Sequence, residues 1–173
     1  MESNVWKKAI DGIEEVENIK EKLPSEIVKE YCDQLEDVTD GRVMAKIGQY
    51  SHSIKDMTKE GVFSIFPNSK TYVTGEENPQ DYLGIVDEES RFTYEIYITG
   101  SKTKNYKYRF CFIEFGIPAY PTDVIIDSDI ADELQISTTY NIKNSDEFKN
   151  IFVKILNSNK ITEVIKSLMA VNS

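Results

Sequence analysis

The side chains best suited to nucleophilic or metal chemistry in this chain are one histidine and two cysteines. His52 lies between two serines, and Cys32 and Cys111 are far apart in the chain. A zinc site takes several cysteine, histidine or carboxylate ligands at close spacing, which this distribution does not supply. A Cys-His nucleophile needs hydrogen-bond contact that spacing alone does not show. We predict a surface histidine, two buried free thiols, and no resident metal or cofactor.

An acidic run from Asp127 to Glu133 has the oxygen-rich composition of a calcium loop. Such a loop has glycine at its sixth position and glutamate at its twelfth. This chain has Asp132 and Thr138 at those positions. Acids in the first turn of a helix are stabilised instead by the positive end of the helix dipole. We therefore expect Asp127 to cap a short helix ending near Leu134.

The run 100–103, Gly-Ser-Lys-Thr, shares residue types with the end of a phosphate-binding loop. That loop requires a Gly-Lys pair and a glycine five positions before it, and both are missing. The 30 acidic residues offer many carboxylate pairs for general acid–base catalysis, but no pair is distinguished by its spacing. Because no catalytic motif is found, we predict that the protein is not an enzyme.

The charge distribution is the most informative functional feature. The formal net charge is −10. No Lys or Arg lies between Phe110 and Ile142, and residues 75–99 hold seven acids and one base. If the connecting loops meet at one end of a sheet, they form an acidic surface with aromatic anchors. The predicted partner-binding residues are Glu88, Glu89, Tyr97, Tyr120, Asp123, Asp127 and Asp129.

The stretch 91–127 must position most of those residues, and it predicts a long β-hairpin followed by a third strand. The first strand alternates between two faces, as a half-buried strand does. Its expected inner face carries Phe92, Tyr94, Ile96 and Ile98, and its outer face carries Thr93, Glu95, Tyr97 and Thr99. Residues 100–105 form a polar turn. Val124, Ile125 and Ile126 make the third strand after two prolines.

The returning strand of this hairpin is predicted to be central in the sheet. One face is expected to hold Tyr106, Tyr108, Phe110 and Phe112. Lys107 and Arg109 begin the other face, which then becomes apolar with Cys111, Ile113 and Phe115. We expect a helix to cover this apolar half.

Apolar residues at three- and four-residue steps predict helices on both sides of the sheet. Residues 1–40 form a helical hairpin, in which Pro24 ends the first helix and Ser25 caps the second. Asn144 caps the first of two C-terminal helices, which are separated by a break at 157–159. Further strands are predicted at 42–50, 61–66, 70–74, 81–86 and 140–143.

The predicted fold class is α+β. An antiparallel meander of about five to seven strands carries the N-terminal helical hairpin, and two C-terminal helices pack on the sheet. One domain spans 1–173: the hairpin (1–40), the sheet (42–127) and a helical part (128–173). No run approaches the roughly 20 apolar residues of a membrane span, and the N-terminus lacks a secretion signal. We expect a cytoplasmic protein without membrane contact.

In size, acidity and lack of a catalytic motif, the chain resembles the immunity proteins that bacteria carry against their own secreted toxins. The resemblance implies a protein that binds and neutralises a specific protein partner. A basic partner suits the charge, whereas nucleic acid does not, because its binding relies on Lys and Arg. The alternative is a small-molecule-binding domain or small enzyme with a pocket between the sheet and the C-terminal helices. A structural role and the oligomeric state stay open.

Overall fold

The computed structural model describes residues 21–54 and 91–173 of the chain. The first predicted helix and the strands predicted at 61–66, 70–74 and 81–86 lie outside these residues. Within them no helix has the length and apolarity needed to cross a membrane. The helices are α1 (Pro24–Val38), α2 (Ser128–Leu134), α3 (Ser145–Leu156) and α4 (Asn159–Val171). The strands are β1 (Val43–Gln49), β2 (Phe92–Gly100), β3 (Tyr108–Phe115), β4 (Thr122–Ile126) and β5 (Thr139–Ile142).

The strands in the described ranges form one antiparallel sheet in the order β1-β2-β3-β4-β5. Each strand pairs with its neighbour in the chain, so the sheet is a meander with β3 at its centre. The loop 101–107 between β2 and β3 marks one end of the sheet, called here the hairpin end. The loop 116–121 between β3 and β4 marks the other, called here the Tyr120 end. The predicted α+β class with an antiparallel sheet is confirmed, whereas the full meander of about five to seven strands and the N-terminal helical hairpin stay predictions.

A bulge in the central hairpin changes which side chains face the helices. Ile96 pairs with Cys111, but Tyr97 pairs with Arg109, so Phe110 is an extra residue on β3. An extra residue interrupts the alternation of faces. Phe110 is buried in the helix-covered core, whereas Phe112 pairs with Glu95 on the opposite face. The prediction that Phe110 and Phe112 share a face is therefore wrong.

The start of α1 also differs from the prediction. Pro24 is the first helical residue and Leu23 holds the cap position, so Ser25 is not the cap. Proline fits the first turn because the N–H that it lacks would have no partner within the helix. The Leu23 N–H donates to the Glu26 carboxylate at 3.0 Å, which replaces a cap from a serine hydroxyl.

The observed starts of α3 and α4 agree with the starts predicted from the sequence. The Asn144 side chain accepts the N–H of Glu147 at 2.9 Å, and Ser158 accepts that of Ile161 at 3.3 Å. These contacts satisfy N–H groups that have no acceptor within the helix. The predicted capping of α3 by Asn144 and the break before α4 are confirmed.

One apolar cluster lies between the sheet and the helices. Phe110, Phe148 and Phe152 are each 1% exposed, and their rings follow one another at centroid distances of 6.4 and 5.8 Å. Ile96, Ile98 and Ile113 complete the sheet side of this cluster. The aromatic side chains that could have lined a pocket here pack against one another. A ligand pocket at this interface stays a prediction.

Candidate functional site

The face of the sheet that points away from the apolar cluster is polar, yet much of it is buried. Thr93, Glu95 and Thr99 are 6–7% exposed, and Glu114 is fully buried. Register places these side chains together: Thr93 pairs with Glu114 across β2 and β3, and Gly48 of β1 pairs with Glu95. Carboxylates buried at such depth require cations or N–H donors, because desolvation penalises the charged form.

Glu114 is held by groups from three parts of the chain. Its Oε2 accepts the backbone N–H of Ile54 and the hydroxyl of Thr93, both at 2.8 Å. Its Oε1 lies 3.0 Å from Nε of Arg91, an ion pair without hydrogen-bond geometry. Arg91 also donates to Asp123 at 2.8 Å. Glu114 therefore fixes both Ile54, just after β1, and Arg91, just before β2.

Glu95 forms a second buried ion cluster, nearer the hairpin end. Arg109 donates to it through Nε at 2.7 Å, and Lys107 pairs with its other oxygen. The Arg109 guanidinium lies 5.3 and 5.6 Å from the ring centroids of Phe112 and Tyr50. The rings add a cation–π contribution.

These contacts decide the protonation of both glutamates. Burial raises the pKa of Glu95. Hydrogen bonds and charge from Lys107 and Arg109 lower it by a larger amount, so the net shift of the pKa is downward. Burial likewise raises the pKa of Glu114, and the donors from Ile54, Thr93 and Ser53, together with Arg91, bring it below its ordinary value. Both groups are ionised at neutral pH, which makes them poor general acids and weak bases. Their geometry favours a structural role.

Two predicted partner-binding residues, Tyr97 and Asp123, lie on this polar face, but at different ends of it. The Tyr97 ring has the Lys107 ammonium 4.1 Å from its centroid, near the hairpin end. Asp123 lies near the Tyr120 end, where it pairs with Arg91 and accepts the Asn141 amide at 2.7 Å. The structure does not bring these two side chains together.

Asp127 and Asp129 lie at the hairpin end, at the start of α2. Asp127 accepts the N–H groups of Asp129 and Ile130 at 2.9 and 3.3 Å, so its predicted capping role is confirmed. Asp129 pairs with Lys160 at 2.9 Å. Glu133 accepts the N–H groups at the start of α4, from Asn159 at 2.6 Å and Lys160 at 3.1 Å. Asp127 and Glu133 of this run therefore stabilise helix termini, and Asp129 forms an ion pair with a residue of α4.

Tyr120 lies at the end of the sheet that is named after it, in a surface with both apolar and acidic side chains. Its hydroxyl donates to the backbone oxygen of Lys22 at 3.0 Å. Burial raises its pKa, and the nearby carboxylates of Glu21 and Asp146 raise it further. Ile117 of the same loop is 73% exposed. We call Glu21, Leu23, Ile117, Tyr120 and Asp146 the Tyr120 surface. Glu88 and Glu89 lie outside the described residues.

The residues suited to nucleophilic or metal chemistry show no assembled site. His52 is exposed, and its ring contacts Tyr50 at a centroid distance of 5.6 Å. Cys32 and Cys111 are buried free thiols, as predicted. Burial raises the pKa of Cys32 to about 12 and also raises that of Cys111, which disfavours the reactive thiolate. No cluster of metal-ligating side chains occurs in residues 21–54 and 91–173.

Residue types and spacing did not indicate the two buried glutamates or the exposed Ile117. Glu95 and Glu114 alternate with apolar residues in their strands, as solvent-facing residues of a half-buried strand also do, so the local pattern did not distinguish them from the other acids. No local pattern indicated that Ile117 is exposed. No family model, curated protein or solved structure matches this chain.

Proposed function

We propose that this chain is a non-enzymatic cytoplasmic protein that binds a specific basic protein partner through the Tyr120 surface. The observation that carries the proposal is the coincidence, at one end of the sheet, of an exposed isoleucine, a tyrosine and two carboxylates. Apolar and aromatic anchors supply most binding energy at protein interfaces, and surrounding charge steers the encounter.

Acids on α1 extend the negative charge beyond the Tyr120 surface. The helix carries Glu26, Glu30 and Asp33 on one side at four- and three-residue spacing, all exposed. Lys22 and Lys29 pair with two of them, Glu30 and Asp33. Exposed pairs of this kind contribute little to folding, so a partner's cations can displace the lysines at small cost.

The predicted acids that the structure describes outside the Tyr120 surface also have partners within the chain. Asp123, Asp127 and Asp129 each contact a cation or a backbone N–H group within the chain. Recruiting them to a partner would break those contacts. Glu21 of the Tyr120 surface likewise accepts the backbone N–H of Ser145, at 2.5 Å. We place the interaction at the Tyr120 end because the exposed Ile117 lies there beside acidic side chains. The acidity favours a basic partner, and the resemblance to immunity proteins implies that this partner is a toxic enzyme which the complex keeps inactive.

Site-specific photocrosslinking in native cells tests the proposal. A photoreactive phenylalanine analogue at Ile117 is expected to give one major adduct with a basic protein. The same analogue at Val171, which is 63% exposed at the hairpin end, serves as the matched control and is expected to give none. Adducts of equal yield at both positions, or an acidic protein in the adduct, would contradict the proposal.

The purified partner then allows a quantitative test. Ile117→Asp places a charge in the proposed contact and is expected to weaken binding by at least about tenfold, whereas Val171→Asp leaves it unchanged. Raising the salt concentration should also weaken binding, because exposed charges are screened. If the partner is an enzyme, its activity should be suppressed by the wild-type chain and not by Ile117→Asp.

A further inference from the structure

A basic concavity of about 460 Å³ lies on the polar face at the hairpin end. Strand pairing explains its composition, because Tyr97 of β2 lies between Lys46 of β1 and Arg109 of β3. The loop after β2 adds further side chains to the rim. The lining includes Met44, Lys46, Tyr97, Lys104, Tyr106 and Lys107.

The lysines of this concavity differ in how they are neutralised. Lys107 pairs with the buried Glu95, which Arg109 also contacts. Lys46 and Lys104 are exposed and form no ion pair with any residue of the described ranges. In a chain with a net charge of −10, two lysines with no ion pair among the described residues lie in one concavity beside a neutralised cluster, and they leave local positive charge for an anion.

The second property of the concavity is the aromatic surface that two tyrosines give it. Tyr106 is 43% exposed at its rim. The Tyr97 ring is partly buried and has the Lys107 ammonium over its face. An exposed tyrosine ring can stack on a planar group, and such stacking tolerates different ring systems.

We propose that this concavity binds a small anionic ligand with a planar ring, of the nucleoside phosphate class. Lys46 and Lys104 pair with the phosphate and Tyr106 stacks on the base. The volume is within the range of small-molecule sites. The proposal is independent of the Tyr120 surface, which lies at the other end of the sheet.

Polymeric anions are a weaker fit. A nucleic-acid strand needs a track of cations along several phosphates, which a chain with a net charge of −10 is poorly suited to provide. An acidic protein segment would supply carboxylates for the lysines, but it would need an aromatic side chain at matching spacing to stack on Tyr106 as well. A compact ligand that carries both charge and ring uses the whole concavity.

Calorimetric titration of the full chain with adenosine monophosphate at low salt tests the proposal. We expect saturable binding to one site, at least about tenfold weaker binding of adenosine, and weaker binding of inorganic phosphate. The variant Lys46→Gln/Lys104→Gln should lose at least about tenfold in affinity, and Tyr106→Ala at least about fivefold. The control, Lys149→Gln/Lys154→Gln on α3, removes the same charge elsewhere and should bind as the wild type does.

Three results would overturn the proposal. The first is no heat of binding at millimolar adenosine monophosphate. The second is an equal loss of affinity in the two lysine double variants, which would show an effect of net charge alone. The third is binding of a hexaglutamate peptide or of inorganic phosphate as tight as that of the nucleotide, which would exclude a role for the ring. Circular dichroism of each variant verifies the fold.

Discussion

The two faces of β2 and β3 bury side chains to a similar depth with opposite chemistry. On the helix side, Ile96, Ile98 and Ile113 are at most 1% exposed within an apolar cluster. On the other side, Glu95 and Glu114 are 7% and 0% exposed within ion clusters. Burial of a side chain in this sheet therefore does not indicate that it is apolar.

The two faces differ in how far neighbouring groups compensate for the loss of a single contact. Apolar burial contributes in proportion to the area removed from water, and neighbouring groups share it. A buried carboxylate depends on a few specific donors, and loss of one partner leaves the other charge uncompensated. We expect the apolar face to provide most of the stability and the polar face to provide sensitivity to single polar changes and to pH.

The largest effect is expected on the apolar face. Phe152→Ala removes a ring that contacts Phe110, Phe148 and Tyr31, and should lower the free energy of unfolding by about 3–5 kcal/mol. Phe92→Ala, at a ring 39% exposed, is the control and should cost less than half as much. Urea denaturation measures both. Equal losses would show that the apolar cluster is not the main source of stability.

Glu114→Gln tests the polar face. It keeps the shape of the side chain but removes the charge that Arg91 faces, and should cost about 1–3 kcal/mol in urea denaturation. Asp123 still pairs with Arg91, which keeps the loss below that of an isolated buried charge. Glu30→Gln breaks an exposed pair with Lys22 and should change stability little. A loss from Glu30→Gln as large as that from Glu114→Gln would contradict the distinction.

The pH dependence of the free energy of unfolding should reveal the contribution of the two buried carboxylates. The folded-state pKa of both Glu95 and Glu114 lies below the ordinary value of about 4.3. Their contribution is thus fully present above about pH 4.3 and is lost as the pH falls through their folded-state values. The stability gap between the wild type and Glu95→Gln/Glu114→Gln should narrow on acidification below pH ~4. A gap that is constant or widens there would show that the carboxylates are not ionised in the folded state.

A smaller effect is expected where α4 meets the hairpin end. The Asn172 side chain is buried, accepts the Lys102 N–H at 2.5 Å, and donates to the oxygen of Leu168 at 2.7 Å. Asn172→Ala should cost about 1 kcal/mol and increase hydrogen exchange at Lys102. Ser173→Ala removes an exposed hydroxyl contact in the same segment and should have almost no effect. Unchanged exchange at Lys102 in Asn172→Ala would show that α4 does not hold this loop.

Local patterns predicted the elements well because they depend on few neighbouring residues. Alternation in 92–99 predicted β2, and the Asn144 cap predicted α3 within one residue of its observed start. The prediction failed where two local preferences competed. Serine is favoured at the cap position and proline at the first helical position, and in the structure Pro24 is the first helical residue, so Ser25 lies inside the helix.

The polar site could be predicted only in part. Alternation placed Glu95 on the side opposite Ile96, which is confirmed, but nothing local shows that this side is buried too. The partners of Glu114 come from Ile54 and Arg91, which are 60 and 23 residues away. Periodicity within one strand contains no information about such distant partners. The roles in partner binding remain predictions.

The sequence by itself determined the identity of the described helices and strands, because propensity, periodicity and capping act within a few residues. Only the tertiary structure decided that Phe110 is an extra residue on β3 and that Glu95 and Glu114 are buried within ion clusters. It also decided that Tyr120 and Asp127 lie at opposite ends of the sheet. Those outcomes depend on strand register and on contacts between segments far apart in the chain, whose energies no short stretch of residues specifies.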